Sequence, residues 1–175
     1  MKKLIFLSFL TITSISLIAQ IGGWDPEDVE KAEQTKKDFL EKDPSMKAFF
    51  GEAYGFVIFP SIGKGAIGVG GAHGKGIMFQ NDTPHGEAKM TQVTIGFQWG
   101  GQAYSEVIFF ENKESFDRFT GSKFEFAAQV SAVAATAGAS ADVAYEDGVA
   151  VFTMVKGGLM YEASVGGQKF KYKAF

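Results

Sequence analysis

Glycine crowds one stretch of this sequence, and that stretch limits the folds open to the chain. The segment GKGAIGVGGAHGKG, residues 63–76, contains seven glycines and two lysines among fourteen residues. Such a segment is either a loop that binds phosphate through its backbone or a set of strands that bend and pack where side chains do not fit. The choice separates a nucleotide enzyme from a β-sheet protein.

The spacing of these glycines does not fit a nucleotide-binding loop. A P-loop needs a glycine five residues before its Gly-Lys pair, and Ser or Thr after the lysine. Ile58 and Val69 stand where that glycine is required, and glycine follows both lysines of the segment. Residues 63–68 match GxGxxG, but the sequence after them is a poor helix, which a dinucleotide site requires. We therefore predict glycine-rich strands and no nucleotide.

Composition and pattern indicate one β-rich domain. The chain has 175 residues, and its 22 glycines, 18 phenylalanines and 4 prolines are typical of short strands joined by tight turns. Residues 55–60 and 76–80 have the pattern of buried strands, and residues 149–155 that of a central strand. Gly-Gly pairs at 157–158 and 166–167 predict further hairpins.

The clearest strand signal lies at residues 93–99, where apolar and polar residues alternate. A Gly-Gly pair follows and suits a two-residue turn into a returning strand at 102–110. That hairpin would pair Ile95 with Glu106 and place the carboxylate on the apolar face. Either a bulge rotates Glu106 outward, which we favour, or the carboxylate lies inside with a partner.

Two helices are predicted from their ends. Residues 25–27 (Asp-Pro-Glu) supply an N-cap, a proline in the first turn and an acidic residue near the positive end of the helix dipole. The Asp-Pro pair at 43–44 stops this helix. A shorter helix is predicted at residues 112–120, capped by asparagine and ended by glycine. Residues 123–137 alternate at first, but their alanine-rich end is also compatible with a helix.

The N-terminus has the pattern of a signal peptide. In MKKLIFLSFLTITSISLIAQ, two lysines precede an apolar run at residues 4–18, and Ala19 is a small residue at a plausible cleavage site. We expect cleavage near Ala19 and an exported protein, periplasmic or secreted; the alternative is a retained membrane anchor. The sequence has no cysteine, which excludes disulfides, a thiol nucleophile and a lipidated lipoprotein cysteine.

Charge and motifs indicate few kinds of chemistry. The net charge is −3, and loss of the two lysines in residues 1–19 leaves 15 basic and 20 acidic residues, a net charge of −5. We therefore expect no nucleic-acid partner. His73 and His85 stand alone, and neither a GxSxG nor an HExxH motif occurs. We predict no catalytic residue, no metal site and no cofactor.

Four segments together resemble the SYLF-domain family. They are FVIFPSIGKGAIGVGGAHGKG (56–76), IGFQWGGQAYSEVIFF (95–110), NKESFDRFTGSKFEFAAQVS (112–131) and VFTMVKGGLMYEASVGG (151–167). The resemblance implies a lipid-binding module; eukaryotic members associate with phosphoinositide membranes, and one fungal branch binds actin and carries an SH3 domain. We do not expect the actin function in an exported chain. The predicted organisation is a signal peptide at 1–19, an N-terminal helical segment at 20–47 and a SYLF-like domain at 48–175.

Five lysines are the candidates for contact with an anionic phospholipid or membrane surface. Lys36 lies within the apolar stripe of the first predicted helix, and Lys37 and Lys42 flank it. This helix either lies on a membrane or, as we favour, packs on the sheet with its lysines in solvent. Lys64 and Lys75 lie in the glycine-rich segment, where neighbouring backbone N–H groups suit a headgroup phosphate.

These observations combine into one prediction. We predict an α+β protein with a mainly antiparallel, barrel-like β-sheet, an N-terminal helix and one short inserted helix. Its predicted function is non-catalytic binding of lipid or phospholipid by an exported protein that associates peripherally with membrane. The alternative is an envelope scaffold or protein-interaction domain without a lipid ligand.

Overall fold

A computed structural model describes residues 25–67, 69–95, 102–121, 124–127, 130–156 and 165–175. Within these residues there are three α-helices and eight strands. The strands form a mostly antiparallel sheet that curls into half a barrel. The helices are α1 (Pro26–Lys42), α2 (Lys47–Glu52) and α3 (Lys113–Thr120), with a 3-10 helix at Pro44–Met46. The strands are β1 (Gly55–Ile67), β2 (Val69–Gln80), β3 (Thr83–Ile95), β4 (Gln102–Phe110), β5 (Phe124–Glu125), β6 (Val133–Ala134), β7 (Val149–Val155) and β8 (Lys169–Ala174). The predicted fold class is confirmed.

The described strands lie in the order β5-β8-β3-β2-β1-β4-β7-β6. Neighbouring strands are antiparallel except β6, which runs parallel to β7. The alanine-rich end of residues 123–137, whose sequence is compatible with either strand or helix, contains the two-residue strand β6, and turns follow at residues 137–142. The helical alternative for the end of that segment is therefore wrong.

Both longer helices begin where their capping residues predict. The Asp25 side chain accepts a hydrogen bond of 3.0 Å from the backbone N–H of Glu27, and Pro26 opens α1. Helix α3 starts with a reciprocal capping box between Asn112 and Ser115. These local contacts satisfy backbone donors that the helix itself leaves unpaired. The predicted ends of α1 and α3 are therefore confirmed.

The glycine-rich segment is a long antiparallel ribbon. Strands β1 and β2 pair across it, with Gly63 opposite His73 and Gly65 opposite Gly71. A Cβ added at Gly76 would lie 2.7 Å from the carbonyl oxygen of Ile58, closer than real Cβ atoms approach. Glycine is thus required where the strands come close together, which confirms the structural interpretation of the segment.

The connection from β2 to β3 is a tight turn. Asn81 and Asp82 both have positive φ, 50° and 57°. Two successive residues with positive φ form the two-residue turn whose twist matches antiparallel strands, and Asn and Asp tolerate this conformation better than most residues. The turn brings β3 against β2 along its whole length.

The predicted hairpin between β3 and β4 is wrong. Ile95 pairs with Val69 on β2, whereas Glu106 lies between Phe59 on β1 and Thr153 on β7. The β1–β2 ribbon lies between the two strands in the sheet. Alternation of apolar and polar residues identifies a strand and its faces but not its partner. The Gly-Gly pair of that predicted turn, at 100–101, and the pair at 157–158 lie outside the described residues.

Helices cover both faces of the sheet. On the α1 face, Phe39 of α1 and Phe49 and Phe50 of α2 join the aromatic side chains of the central strands in one buried cluster. On the α3 face, Phe119 of α3 packs against Phe110 and Phe170, with ring centroids 4.9 and 5.0 Å apart. Full burial of one such side chain stabilises the fold by about 1.5–3 kcal/mol. Among the described residues, no helix combines the length and apolar character that crossing a bilayer requires.

A buried carboxylate fixes the loop at 137–142 to the end of α1. Asp43 is 0% exposed and accepts hydrogen bonds from the backbone N–H groups of Ser45, Gly138 and Ser140 at 3.1, 3.0 and 2.8 Å. The hydroxyl of Ser45 also donates to it. Burial by itself raises the pKa of Asp43, but these hydrogen bonds outweigh it and lower the pKa to about 2. Asp43 is therefore ionised in the folded protein at neutral pH.

Candidate functional site

Helix α1 packs on the sheet with its apolar stripe inward. Val29, Ala32, Thr35 and Phe39 are buried, and α1 contacts β1 and β2. Packing of this helix on the sheet, the favoured alternative, is therefore confirmed. The stripe contacts protein, so membrane binding by α1 would have to use its outward polar side.

Lys36 is held against the protein. Its side chain is 24% exposed, its ammonium lies 4.9 Å from the ring centroid of Phe50 and 5.1 Å from that of Phe56, and it pairs with the carboxylate of Asp82. Cation–π contacts and an ion pair together fix this ammonium between α1 and the β2–β3 turn. Its position stabilises the packing of α1.

The other two lysines predicted on α1 point away from the core. Lys37 and Lys42 are exposed. Lys37 lines a shallow depression of about 290 Å³ together with Lys36, Leu40, Phe79 and two acidic residues, Glu33 and Asp82. The acidic residues offset the lysines of this depression. Contact between lipid and Lys36, Lys37 or Lys42 stays a prediction.

A larger groove lies between α1 and strands β1, β2 and β3. Its volume is about 730 Å³, and it is open to solvent. Three lysines converge on it: Lys31 from α1, Lys75 from β2 and Lys89 from β3. Its other lining residues are Asp28, Pro60, Ser61, Gly63, His73, Gly74, Met90 and Thr91. The groove therefore joins one predicted site residue, Lys75, to Lys31 and Lys89, which were not among the predicted site residues.

Two of the three groove lysines, Lys75 and Lys89, are paired only loosely. The ammonium of Lys75 lies 3.8 Å from Asp28 Oδ2, and that of Lys89 lies 4.0 Å from Glu87 Oε1; the two lysine side chains are 63% and 64% exposed. Ion pairs at such distances on a surface contribute little. Lys31 forms a closer pair, and its hydrogen bond with the Glu27 carboxylate, followed by Coulombic attraction, raises its pKa. The Lys75 and Lys89 side chains can therefore turn toward an anion, whereas Lys31 is held by Glu27.

Lys64 lies on the same ribbon as the groove. Its backbone pairs with Ala72 on β2 and Gln102 on β4, and its side chain lies outside what the structure describes.

The signal that could have revealed Lys89 was the alternation Glu87, Lys89, Thr91, which places these residues on one face of a strand. Lys89 lies beside Lys75 only because of the register in which β2 pairs with β3, and the sequence did not reveal that register.

A second cluster of polar side chains, Tyr104, Glu106 and Gln168, is buried inside the protein. Gln168 donates hydrogen bonds from Nε2 to Glu106 Oε2 at 2.9 Å and to the hydroxyl of Tyr104 at 3.1 Å, and all three residues are 0% exposed. Burial, and then the Glu106 carboxylate, raise the pKa of Tyr104. A bulge does occur, but on β1 between Phe59 and Ile62, and it leaves Glu106 inside. Rotation of Glu106 to the outside is therefore wrong, and the alternative of an internal carboxylate with a partner is confirmed.

Comparison with known proteins identifies relatives of this chain. The family model Ysc84, described as Las17-binding protein actin regulator, matches residues 91–173. Beta cell expansion factor A of Aeromonas veronii is 31% identical to the chain over 132 residues, which cover 75% of this chain and 50% of that relative. The chain thus spans about half the length of this curated relative. Both findings agree with the family resemblance seen in the sequence.

Proposed function

Since the chain carries a domain of the Ysc84, or SYLF, family, we propose that it is a non-catalytic module that binds anionic phospholipid at a membrane surface. Domains of this family are non-catalytic and act as lipid-binding or actin-regulator-like modules. The finer assignment, to phospholipid and to peripheral association of an exported protein, is our proposal.

One observation carries the proposal: an open groove gathers three lysines on a chain whose net charge is −3. In an acidic protein, a local basic surface opposes the overall charge, and it provides short-range attraction to an anionic headgroup. Pro60 also lines the groove, and lysine stems that bury apolar area while their ammonium groups stay in water suit the headgroup boundary of a lipid. The proposed export, with cleavage near Ala19, would bring this surface to envelope lipids.

A second candidate is an envelope scaffold that binds another protein. The description of the family as Las17-binding favours it, because that activity is a protein–protein contact. We do not extend actin regulation to this chain, since the proposed export separates it from actin. In this alternative the groove would receive acidic side chains of a partner and not lipid headgroups.

Co-sedimentation with vesicles distinguishes the two. We expect the purified protein to pellet with phosphatidylglycerol or cardiolipin vesicles and to stay in the supernatant with phosphatidylcholine vesicles. Salt should weaken the binding, since exposed charges are screened beyond about 8 Å at physiological ionic strength. No retention on anionic vesicles at low salt would reject the lipid proposal and favour a protein partner.

A further inference from the structure

Three lysines lie directly opposite one another across three strands. Lys75 on β2 pairs in register with Lys89 on β3, and Lys89 pairs with Lys171 on β8. Residues directly opposite in antiparallel strands project from the same face, with Cβ atoms about 4.5–5.5 Å apart. Like charges in this arrangement repel each other, so the row costs the fold stability.

Two further lysines of β8 lie beside this row. Lys169 is opposite Thr91, and Lys173 is opposite Glu87. Because side chains alternate along a strand, Lys169, Lys171 and Lys173 share one face. Glu87 and Glu125 are acidic neighbours here, with Lys169 Nζ 3.6 Å from Glu125 Oε2. We call the five lysines the lysine face; its members are Lys75, Lys89, Lys169, Lys171 and Lys173.

Helix α1 leaves the β3 and β8 part of this face open. It packs on β1 and β2, while the Lys89 and Lys169 side chains are 64% and 65% exposed and Lys171 and Lys173 are also exposed. Among the described residues, Lys171 has no carboxylate within ion-pair distance. The lysine face therefore continues the groove outward onto an uncovered, excess-positive sheet surface.

An exposed apolar residue borders the lysine face. Among the described residues, Val93 is the large hydrophobic side chain that is exposed, and its exposed fraction is 76%. It lies on β3 two and four residues beyond Thr91 and Lys89, on the same side of the strand. A basic surface with an apolar residue at its border suits interfacial binding, since ammonium groups can meet headgroups while the apolar side chain enters the acyl boundary.

We propose that the lysine face is the surface that lies against an anionic bilayer, with Val93 entering the interface. This inference rests on the proposed function and adds the orientation: the open sheet face contacts the membrane, and α1 does not. Strands are about 4.8 Å apart, so the row of three lysines spans about 10 Å, and it matches a plane of headgroups better than one phosphate in a pocket. The acidic net charge of the chain disfavours nucleic acid as the occupant.

The first test removes charge from the row. In the full chain, Lys75→Gln, Lys89→Gln and Lys171→Gln together should lower partitioning onto phosphatidylglycerol vesicles roughly a hundredfold, at about fivefold per lysine. The matched control, Lys47→Gln with Lys113→Gln and Lys156→Gln, makes the same change in net charge with exposed lysines elsewhere. It should retain most of the binding.

Each outcome of this comparison has one meaning. Loss in the row variant alone supports the lysine face. Equal loss in both variants would mean that net charge, not this face, governs binding, and would overturn the inference. Unchanged binding of the row variant would overturn it too while leaving the proposed function standing, whereas failure of the unchanged protein to bind anionic vesicles would reject both. Matching circular dichroism spectra and unfolding midpoints show that each variant is folded.

The second test reports insertion directly. Because the chain has no cysteine, Val93→Cys can be labelled at one site with an environment-sensitive fluorophore, and Glu114→Cys on α3 serves as the exposed control. On phosphatidylglycerol vesicles the emission of the label at position 93 should shift to shorter wavelength, and that of the label at position 114 should not. A shift at position 114 without one at position 93 would contradict the proposed orientation.

Discussion

The buried carboxylate of Asp43 should make folding depend on acid pH in a defined way. An unfolded aspartate has a pKa of 3.8, whereas the hydrogen bonds to Asp43 hold its pKa at about 2 in the folded protein. Ionisation of Asp43 therefore stabilises the fold by about 2.5 kcal/mol at neutral pH. Because the folded-state pKa is the lower one, this stabilisation is complete above the unfolded pKa and disappears as the pH falls through the folded pKa.

The substitution that tests this is Asp43→Asn. The amide keeps one oxygen acceptor, but its NH₂ group takes the place of a carboxylate oxygen that now accepts hydrogen bonds. At least one buried backbone N–H of Ser45, Gly138 or Ser140 therefore loses its acceptor. We expect the free energy of unfolding at neutral pH to fall by about 2–4 kcal/mol. Asp142→Asn, an exposed aspartate on the same loop, should change it by no more than about 0.5 kcal/mol.

Urea unfolding followed by circular dichroism, repeated from neutral pH down to about pH 2, measures both effects. The unchanged protein should lose stability between about pH 4 and pH 2, and the difference from Asp43→Asn should shrink over that interval. An equal midpoint for the two proteins at neutral pH, or parallel pH dependences, would refute the assignment of Asp43 as an ionised anchor.

Other consequences of the structure can be measured independently. Gly76→Ala should lower the unfolding midpoint well below that of Gly63→Ala, because a Cβ at Gly76 would collide with the neighbouring strand and one at Gly63 has no atom within 4 Å; equal midpoints would contradict the close approach. Gln168→Leu should destabilise the protein by about 2–4 kcal/mol, since it removes the amide that donates to the buried Glu106 carboxylate; a neutral effect in urea unfolding would contradict that role. Intact mass of the exported protein should correspond to a chain that begins at Gln20, and a mass that includes the first nineteen residues would indicate a retained anchor.

Local signals in the sequence sufficed for α1, for α3 and for the strands around residues 55–60, 76–80, 102–110 and 149–155, because each depends on neighbouring residues. The Asp-Pro pairs that begin and end α1, and the Asn112 cap of α3, act through contacts within a few residues. The strand content of the glycine-rich segment followed from the missing helix and the wrong loop spacing.

These local signals do not determine which strands pair with each other. The returning strand at 102–110 exists, but it pairs with β1 and β7, and the residues before it pair with β2 and β8. A turn sequence and alternation are compatible with several partners, and the choice depends on burial over the whole sheet. The same limit hid the internal position of Glu106, whose donor Gln168 lies 62 residues away in sequence.

The candidate site shows this limit most clearly. Lys75 was predicted from its glycine-rich surroundings, but Lys89 and Lys171 join it only through the registers of β2 with β3 and of β3 with β8. The sequence places alternate lysines of β8 on one face and cannot place that face beside another strand. Lys36, predicted from its position in the helical stripe, instead contacts Phe50, Phe56 and Asp82.

The partition coefficient of the purified protein onto vesicles tests the central claim most directly, measured while phosphatidylglycerol replaces phosphatidylcholine and then while salt is raised. The account predicts that partitioning rises steeply with the anionic fraction and falls with salt, because several lysines contact the surface together. Partitioning that is absent, or that is the same on neutral and anionic vesicles, would contradict the claim that this domain binds an anionic membrane surface.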